Sequence, residues 1–203
     1  MVSEWTPLKV VVEEIRRRLE GRDRPLVVAV DGRAGTGKST LAAELRPFVD
    51  ITLIEGDDFY AGGTAAEWDA MTPAEKAAHC IDWRRLRAEA LEPLLKGRAA
   101  TWQPWDWAAD SNPDGEPVQR NPAPVIVIEG VYSARPELSD VVDLTVLYEV
   151  PSAERHKKLM GRDGGLGEWH LRWAEAERYY FTEVRPASAF DLVVGADDAG
   201  NLV

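Results

Sequence analysis

A chain of 203 residues, 45% of them hydrophobic, can fill one α/β core and is cramped for two. Its 35 acidic against 24 basic side chains leave a net charge of −11, which repels polyanions and argues against nucleic acid as a partner. One cysteine excludes an internal disulfide framework, and the lack of a signal peptide or bilayer-length apolar run points away from a membrane and toward the cytoplasm.

Leu8, Val11, Val12, Ile15 and Leu19 recur at helical spacing, with Thr6 and Pro7 as cap and first turn and Gly21 as the stop. Arg16, Arg17 and Arg18 are interleaved with Glu13, Glu14 and Glu20 and read as the solvated face of that helix. Leu26 to Val30 lacks polar alternation, as expected of a strand buried on both faces of a parallel sheet. It runs into Gly32-Arg33-Ala34-Gly35-Thr36-Gly37-Lys38-Ser39-Thr40, a complete phosphate-binding loop that opens a helix predicted from about Lys38 to Leu45 and ended by Pro47. A second strand, Ile51 to Ile54, delivers Asp57-Asp58-Phe59-Tyr60 to the ligand-facing edge of such a sheet. Residues 61–80, rich in Gly and Ala, read as an excursion rather than a core element, and Cys80 as a small half-buried residue without a base beside it. Ile81 to Leu95 reads as a helix capped by Asp82, with Trp83, Leu86, Ala90, Leu91 and Leu94 as its stripe and Pro93 near its end.

Trp102, Trp105 and Trp107 fall just before the turn-rich Asp110 to Pro117. Rings so placed serve either core and edge-strand packing or a stacking pocket beside the loop. Val125 to Ile128 and Leu144 to Tyr148 are further fully apolar strands, the first ending in Glu129-Gly130. Ser152 caps a helix carrying Arg155, His156, Lys157, Lys158 and Arg162, and the glycines at 161, 164, 165 and 167 suggest a mobile, closing segment. A long helix from Glu168 to Val184, bearing Trp169, Trp173, Ala176 and Tyr180, and a strand from Phe190 to Val194 complete the alternation. The pattern predicts an α/β fold of P-loop NTPase type: a doubly wound parallel sheet with helices on both faces. A single domain over 1–203 would carry an acceptor-binding insertion at 61–120 and a small lid at about 152–168.

A loop of this kind turns backbone N–H groups onto phosphate oxygens. Lys38 would reach the β- and γ-phosphates and the Ser39 hydroxyl would ligate a metal, which makes ATP and Mg²⁺ the expected cofactors. Transfer of a γ-phosphoryl group also asks for a carboxylate near the acceptor hydroxyl and for cations over the phosphates. Asp57 or Asp58 can take the acceptor proton, Glu129 can hold Mg²⁺ directly or through water, and Arg155, Arg162 and Lys158 can supply the cations.

Gly32 to Thr40, Asp57-Asp-Phe-Tyr60, Asp82-Trp83, Trp105-Asp-Trp107, Ile128-Glu-Gly130 and Arg155-x6-Arg162-Asp163 occur in that order between about residues 26 and 185. Together they resemble the uridine kinase family of P-loop nucleoside kinases. The resemblance implies ATP-dependent phosphorylation of a ribosyl 5′-hydroxyl with Asp57 as general base, Asp58 and Tyr60 beside the acceptor, and Asp82 on the ribose hydroxyls. It further implies Trp105 and Trp107 flanking the base, Glu129 serving Mg²⁺ and Arg162 in the lid.

Two departures bear on the acceptor. Where the family reads Tyr-Asp-Phe and then His-Ser-Arg, this chain reads Trp105-Asp-Trp107 and then Asp110-Ser-Asn112, which trades a donor for an acceptor; the lid also lacks the family's Glu-Arg-Gly-Arg. The expected substrate is a nucleoside-like or other small alcohol, one whose amino group or positive charge Asp110 and the indoles could receive. The rival expectation is a nucleotide-dependent NTPase or switch with no small-molecule acceptor. The oligomeric state stays open, a homo-oligomer included.

Overall fold

The computed structural model describes residues 6–107, 109–110, 116–163 and 167–195, without the side chains of 162 and 163. The chain runs α1 (Pro7–Leu19), β1 (Leu26–Asp31), α2 (Lys38–Glu44), β2 (Ile51–Glu55), α3 (Ala65–Asp69) and α4 (Pro73–His79). A helical stretch then begins as α5 (Trp83–Arg85) and ends as α6 (Glu92–Leu95), followed by β3 (Ala100–Trp102), β4 (Val118–Arg120), β5 (Val125–Glu129) and β6 (Leu144–Glu149). Two helices, α7 (Ser152–Asp163) and α8 (Glu168–Tyr179), lead to β7 (Leu192–Gly195).

Five strands form one parallel sheet in the order β2-β5-β1-β6-β7, so the doubly wound architecture expected from the apolar runs is the one that forms. Both faces are covered, which is why β1 and β5 are buried at every position. On one face α1 and α2 lay Val11, Val12, Ile15, Leu41 and Leu45 against Val28, Val30, Val127 and Val146. On the other, the alternate residues Val27, Ile126 and Ile128 join Leu86, Leu91, Leu94, Trp173 and Tyr180. The chain leaves β1 toward one edge of the sheet and later returns to build the other. The carboxyl ends around β1 are thus the place where an open sheet receives a ligand.

Residues 61–80 are not an excursion from the core. Thr64 with Glu67 and Thr72 with Glu75 form capping boxes that start α3 and α4, and the two helices deliver Trp68 and Ala77 to the core. Pro93 is accommodated inside the helical stretch, which continues to Leu95. Leu86–Leu91 is π-helical, with the Glu92 N–H donating to the Arg87 carbonyl, and the wider turn lets the helix run past a residue that has no N–H to give. Trp102 lies in the β3–β4 ribbon and is buried, so for this ring the edge-strand reading holds. Among the described residues no helix is long and apolar enough to cross a membrane.

Candidate active site

The last residue of β1 anchors the site. Asp31 is fully buried; its Oδ1 accepts from Gly32 N at 2.8 Å and Tyr132 N at 3.0 Å, and its Oδ2 from Ala134 N and Tyr180 Oη, both at 2.9 Å. Burial pushes this carboxyl up from its ordinary range, while the hydrogen bonds and Lys38 pull the other way. The carboxylate ties the start of the phosphate loop to the turn after β5 and holds Tyr132 at φ +71°, a left-handed conformation uncommon for a bulky residue.

The loop lies against α7. Gly35 has φ +82°, and a Cβ there would stand 2.8 Å from Leu159 Cγ and 2.9 Å from the Arg155 carbonyl, so glycine is required twice over. Its cations rest on its own carbonyls: Lys38 Nζ donates to Arg33 O at 3.0 Å, Lys158 Nζ to Thr36 O at 3.1 Å, and the Arg155 guanidinium to Ala34 O at 3.4 Å. In front of them is a cavity of about 430 Å³. Loop residues Arg33, Ala34, Gly35, Gly37, Lys38, Ser39 and Thr40 line it at one end, with Asp57, Glu129, Arg155 and Glu177.

Asp57 and Glu129 come together because β2 and β5 pair in register, Glu55 beside Glu129. The strand ends then approach closely. A Cβ on Gly56 would lie 3.1 Å from the Glu129 carbonyl oxygen, and one on Gly130 3.8 Å from Asp57 Oδ1. Burial, reinforced by Asp57 and Glu55, raises the Glu129 carboxyl to about 7 despite Lys38 and a hydrogen bond with Ser39. A hydroxyl and two crowded carboxylates are the hard oxygen donors that suit Mg²⁺. Among the described residues no group of three or more His, Cys, Asp or Glu is placed to hold a metal.

The paired aspartates part company. Asp57 lines the cavity, whereas Asp58 is turned to Trp102, accepting from its indole N–H at 2.8 Å, and does not line it. Burial raises the Asp58 carboxyl as well. Of the residues expected at the acceptor, Tyr60 and Trp107 line the cavity. Trp105 instead packs edge-on against Tyr60 with centroids 5.2 Å apart and covers Gly62. Asp82 accepts from Arg85 N at 3.0 Å to cap α5 and lines a second cavity with Gly62, Gly63, His79 and Trp83. Asp110 is exposed at φ +50° and is not among the lining residues. Gly32 and Thr36 belong to the loop backbone behind the wall, and the Arg162 side chain lies outside the described residues.

Sequence reasoning missed Glu177, Trp169 and Trp173 as site residues. Glu177 is buried on α8, and its Oε2 accepts from Ala34 N at 3.2 Å; burial raises its carboxyl although Lys38, Arg155 and Arg33 surround it. The readable signal was position, since Glu177 falls on the stripe of Trp173, Ala176 and Tyr180, where a carboxylate is out of place unless it has work inside. The far end of the cavity is aromatic. Tyr60 stands 5.0 Å from Trp107 and 5.8 Å from Trp169, and Trp169 stands 5.4 Å from Trp173.

No family model matches the chain. Over 148 residues it is 28% identical to a protein named uridine kinase from Brevibacillus brevis, a match that covers 68% of this chain and 66% of that one. Among solved structures, a possible uridine kinase from Bacillus stearothermophilus overlays with a TM-score of 0.67 at 21% identity, covering 92% of this chain and 96% of the other. A candidate fructose transport system kinase from a Silicibacter species overlays with a TM-score of 0.64 at 22% identity, covering 93% and 98%. The resemblance read from the phosphate loop and strand ends is borne out: the chain is similar to the uridine kinases, and its architecture is the P-loop kinase fold.

Proposed function

We propose that this chain is a kinase that transfers the γ-phosphoryl group of ATP to a hydroxyl of a small, nucleoside-like alcohol. One observation carries the reading: Asp57 lines the same cavity as Lys38, Ser39 and Glu129, and the end of that cavity away from the loop is walled by rings. In this account the loop amides and Lys38 hold the phosphates, Ser39 and Glu129 hold Mg²⁺, and that ion, when bound, offsets charge on the phosphate oxygens. Asp57 accepts the proton of the incoming hydroxyl as the oxygen bonds to the γ-phosphorus and ADP leaves. Arg155 and Lys158, now resting on loop carbonyls, turn to the phosphates, with Arg162 joining them from the 152–168 lid.

An NTPase without an acceptor has little use for the aromatic end, which argues against that rival. The amine-bearing acceptor built on Asp110 is weakened by the exposed position of that residue outside the cavity wall. The test is a panel of nucleosides, sugars and amino alcohols incubated with Mg²⁺ and γ-labelled ATP. Label is expected on a nucleoside-like alcohol; ATP hydrolysis that no acceptor alters would defeat the proposal.

A further inference from the structure

Ala34 of the phosphate loop is held from two sides. The Arg155 guanidinium of α7 donates to its carbonyl at 3.4 Å, and its own N–H donates to Glu177 Oε2 of α8 at 3.2 Å. Glu177 lines the phosphate end of the cavity and is buried there, with Lys38, Arg155 and Arg33 as the cations around it. Cys80 and Tyr132 also face it, but burial pushes their thiol and hydroxyl well above their ordinary values, so neither adds charge. A carboxylate in such a wall is costly unless cations compensate it. Yet Lys38 and Arg155 donate to loop carbonyls, and the Arg33 guanidinium lies over the Phe181 ring, 5.1 Å from its centroid. Among the described residues the hydrogen bond donated to this carboxylate comes from Ala34 N, so its charge is balanced by nearness rather than by contact. Bound phosphates would draw on the same cations. Turning Lys38 and Arg155 to a triphosphate removes compensation from Glu177 and brings like charge to the same wall.

We infer that Glu177 stands in for phosphate charge in the empty loop and thereby limits affinity for the phosphate chain of the donor. It is a positioning residue that acts through Ala34 and the surrounding cations. The inference rests on the kinase reading of this cavity and deepens it on the donor side: the donor is held less tightly than the loop and its cations would allow, which favours release of ADP after transfer.

The test is isothermal titration of the full chain, wild type and Glu177→Gln, with MgATP and with magnesium tripolyphosphate, which carries a phosphate chain without a nucleoside. Glutamine keeps the shape of the side chain and an acceptor oxygen for the Ala34 N–H, and removes the charge. Repulsion between unit charges several ångströms apart, at an effective dielectric of about 20 to 40, corresponds to between about fivefold and about fiftyfold in affinity. Glu177→Gln is expected to bind both probes tighter by that factor and to unfold in denaturant no earlier than wild type. A carboxylate that only braced the loop would instead lose affinity when replaced. Equal or weaker binding of either probe by Glu177→Gln overturns the inference, and so does a variant that cannot fold, which would mark the carboxylate as structural. Binding of neither probe to either protein overturns the kinase reading as well, whereas equal binding by the two proteins overturns this inference alone.

Discussion

At the phosphate end of the cavity the polar side chains are tied to backbone. Lys38, Arg155 and Lys158 donate to loop carbonyls, Glu177 accepts from Ala34, and Asp31 gathers three backbone N–H groups from two turns and one tyrosine hydroxyl. At the acceptor end rings touch rings, and the Trp173 indole N–H and Tyr132 hydroxyl have no hydrogen-bond partner among the described residues. One end holds a fixed pattern of charge, the other a hydrophobic surface whose partners can change without disturbing it.

The division puts a strongly shifted carboxyl at the phosphate end, where pH should be felt in stability. Glu129 ionises at about 7 in the folded protein against 4.5 ordinarily, so folding binds its proton more tightly. Its contribution to stability is complete below about pH 4.5 and is lost as pH climbs through 7, about 3 kcal/mol in all for a group this buried. Denaturant unfolding of the unliganded chain across that window should show the loss, and Glu129→Gln should flatten that part of the curve. Trp169→Ala should leave its shape unchanged. An identical slope in Glu129→Gln would break the comparison at its charged end.

A smaller effect sharpens the difference between the paired aspartates. Trp102→Phe strands the half-buried Asp58 carboxylate without its indole donor and shrinks a core ring, which should cost about 2 kcal/mol of stability. Asp58→Asn keeps an acceptor oxygen for that donor and should cost under about 1 kcal/mol. Neither should change phosphoryl transfer per folded molecule by more than about threefold, since Asp58 faces away from the cavity. Chemical denaturation paired with a transfer assay on the same samples reads both quantities.

The same division decides what could be read without coordinates. The phosphate end follows from local rules: an apolar strand, a glycine-spaced loop, and carboxylates at strand ends that a parallel register must align. Thr64-x-x-Glu67 and Thr72-x-x-Glu75 were equally local signals for α3 and α4, overshadowed by the Gly and Ala content around them. The acceptor end has no such rule. Tyr60, Trp107, Trp169 and Trp173 meet only because the sheet, the insertion and α8 converge, and spacing along the chain says nothing about that. Asp82, expected at the acceptor, caps α5 and lines a second cavity, a placement that spacing along the chain does not announce.

The most direct measurement follows ATP binding and phosphoryl transfer side by side in Asp57→Asn. If Asp57 is the group that takes the acceptor proton, transfer should fall by a factor between about 10² and 10⁴ while ATP binds within about twofold of the wild-type affinity. Transfer at the wild-type rate in Asp57→Asn, or an equal collapse in Asp58→Asn, would contradict the account.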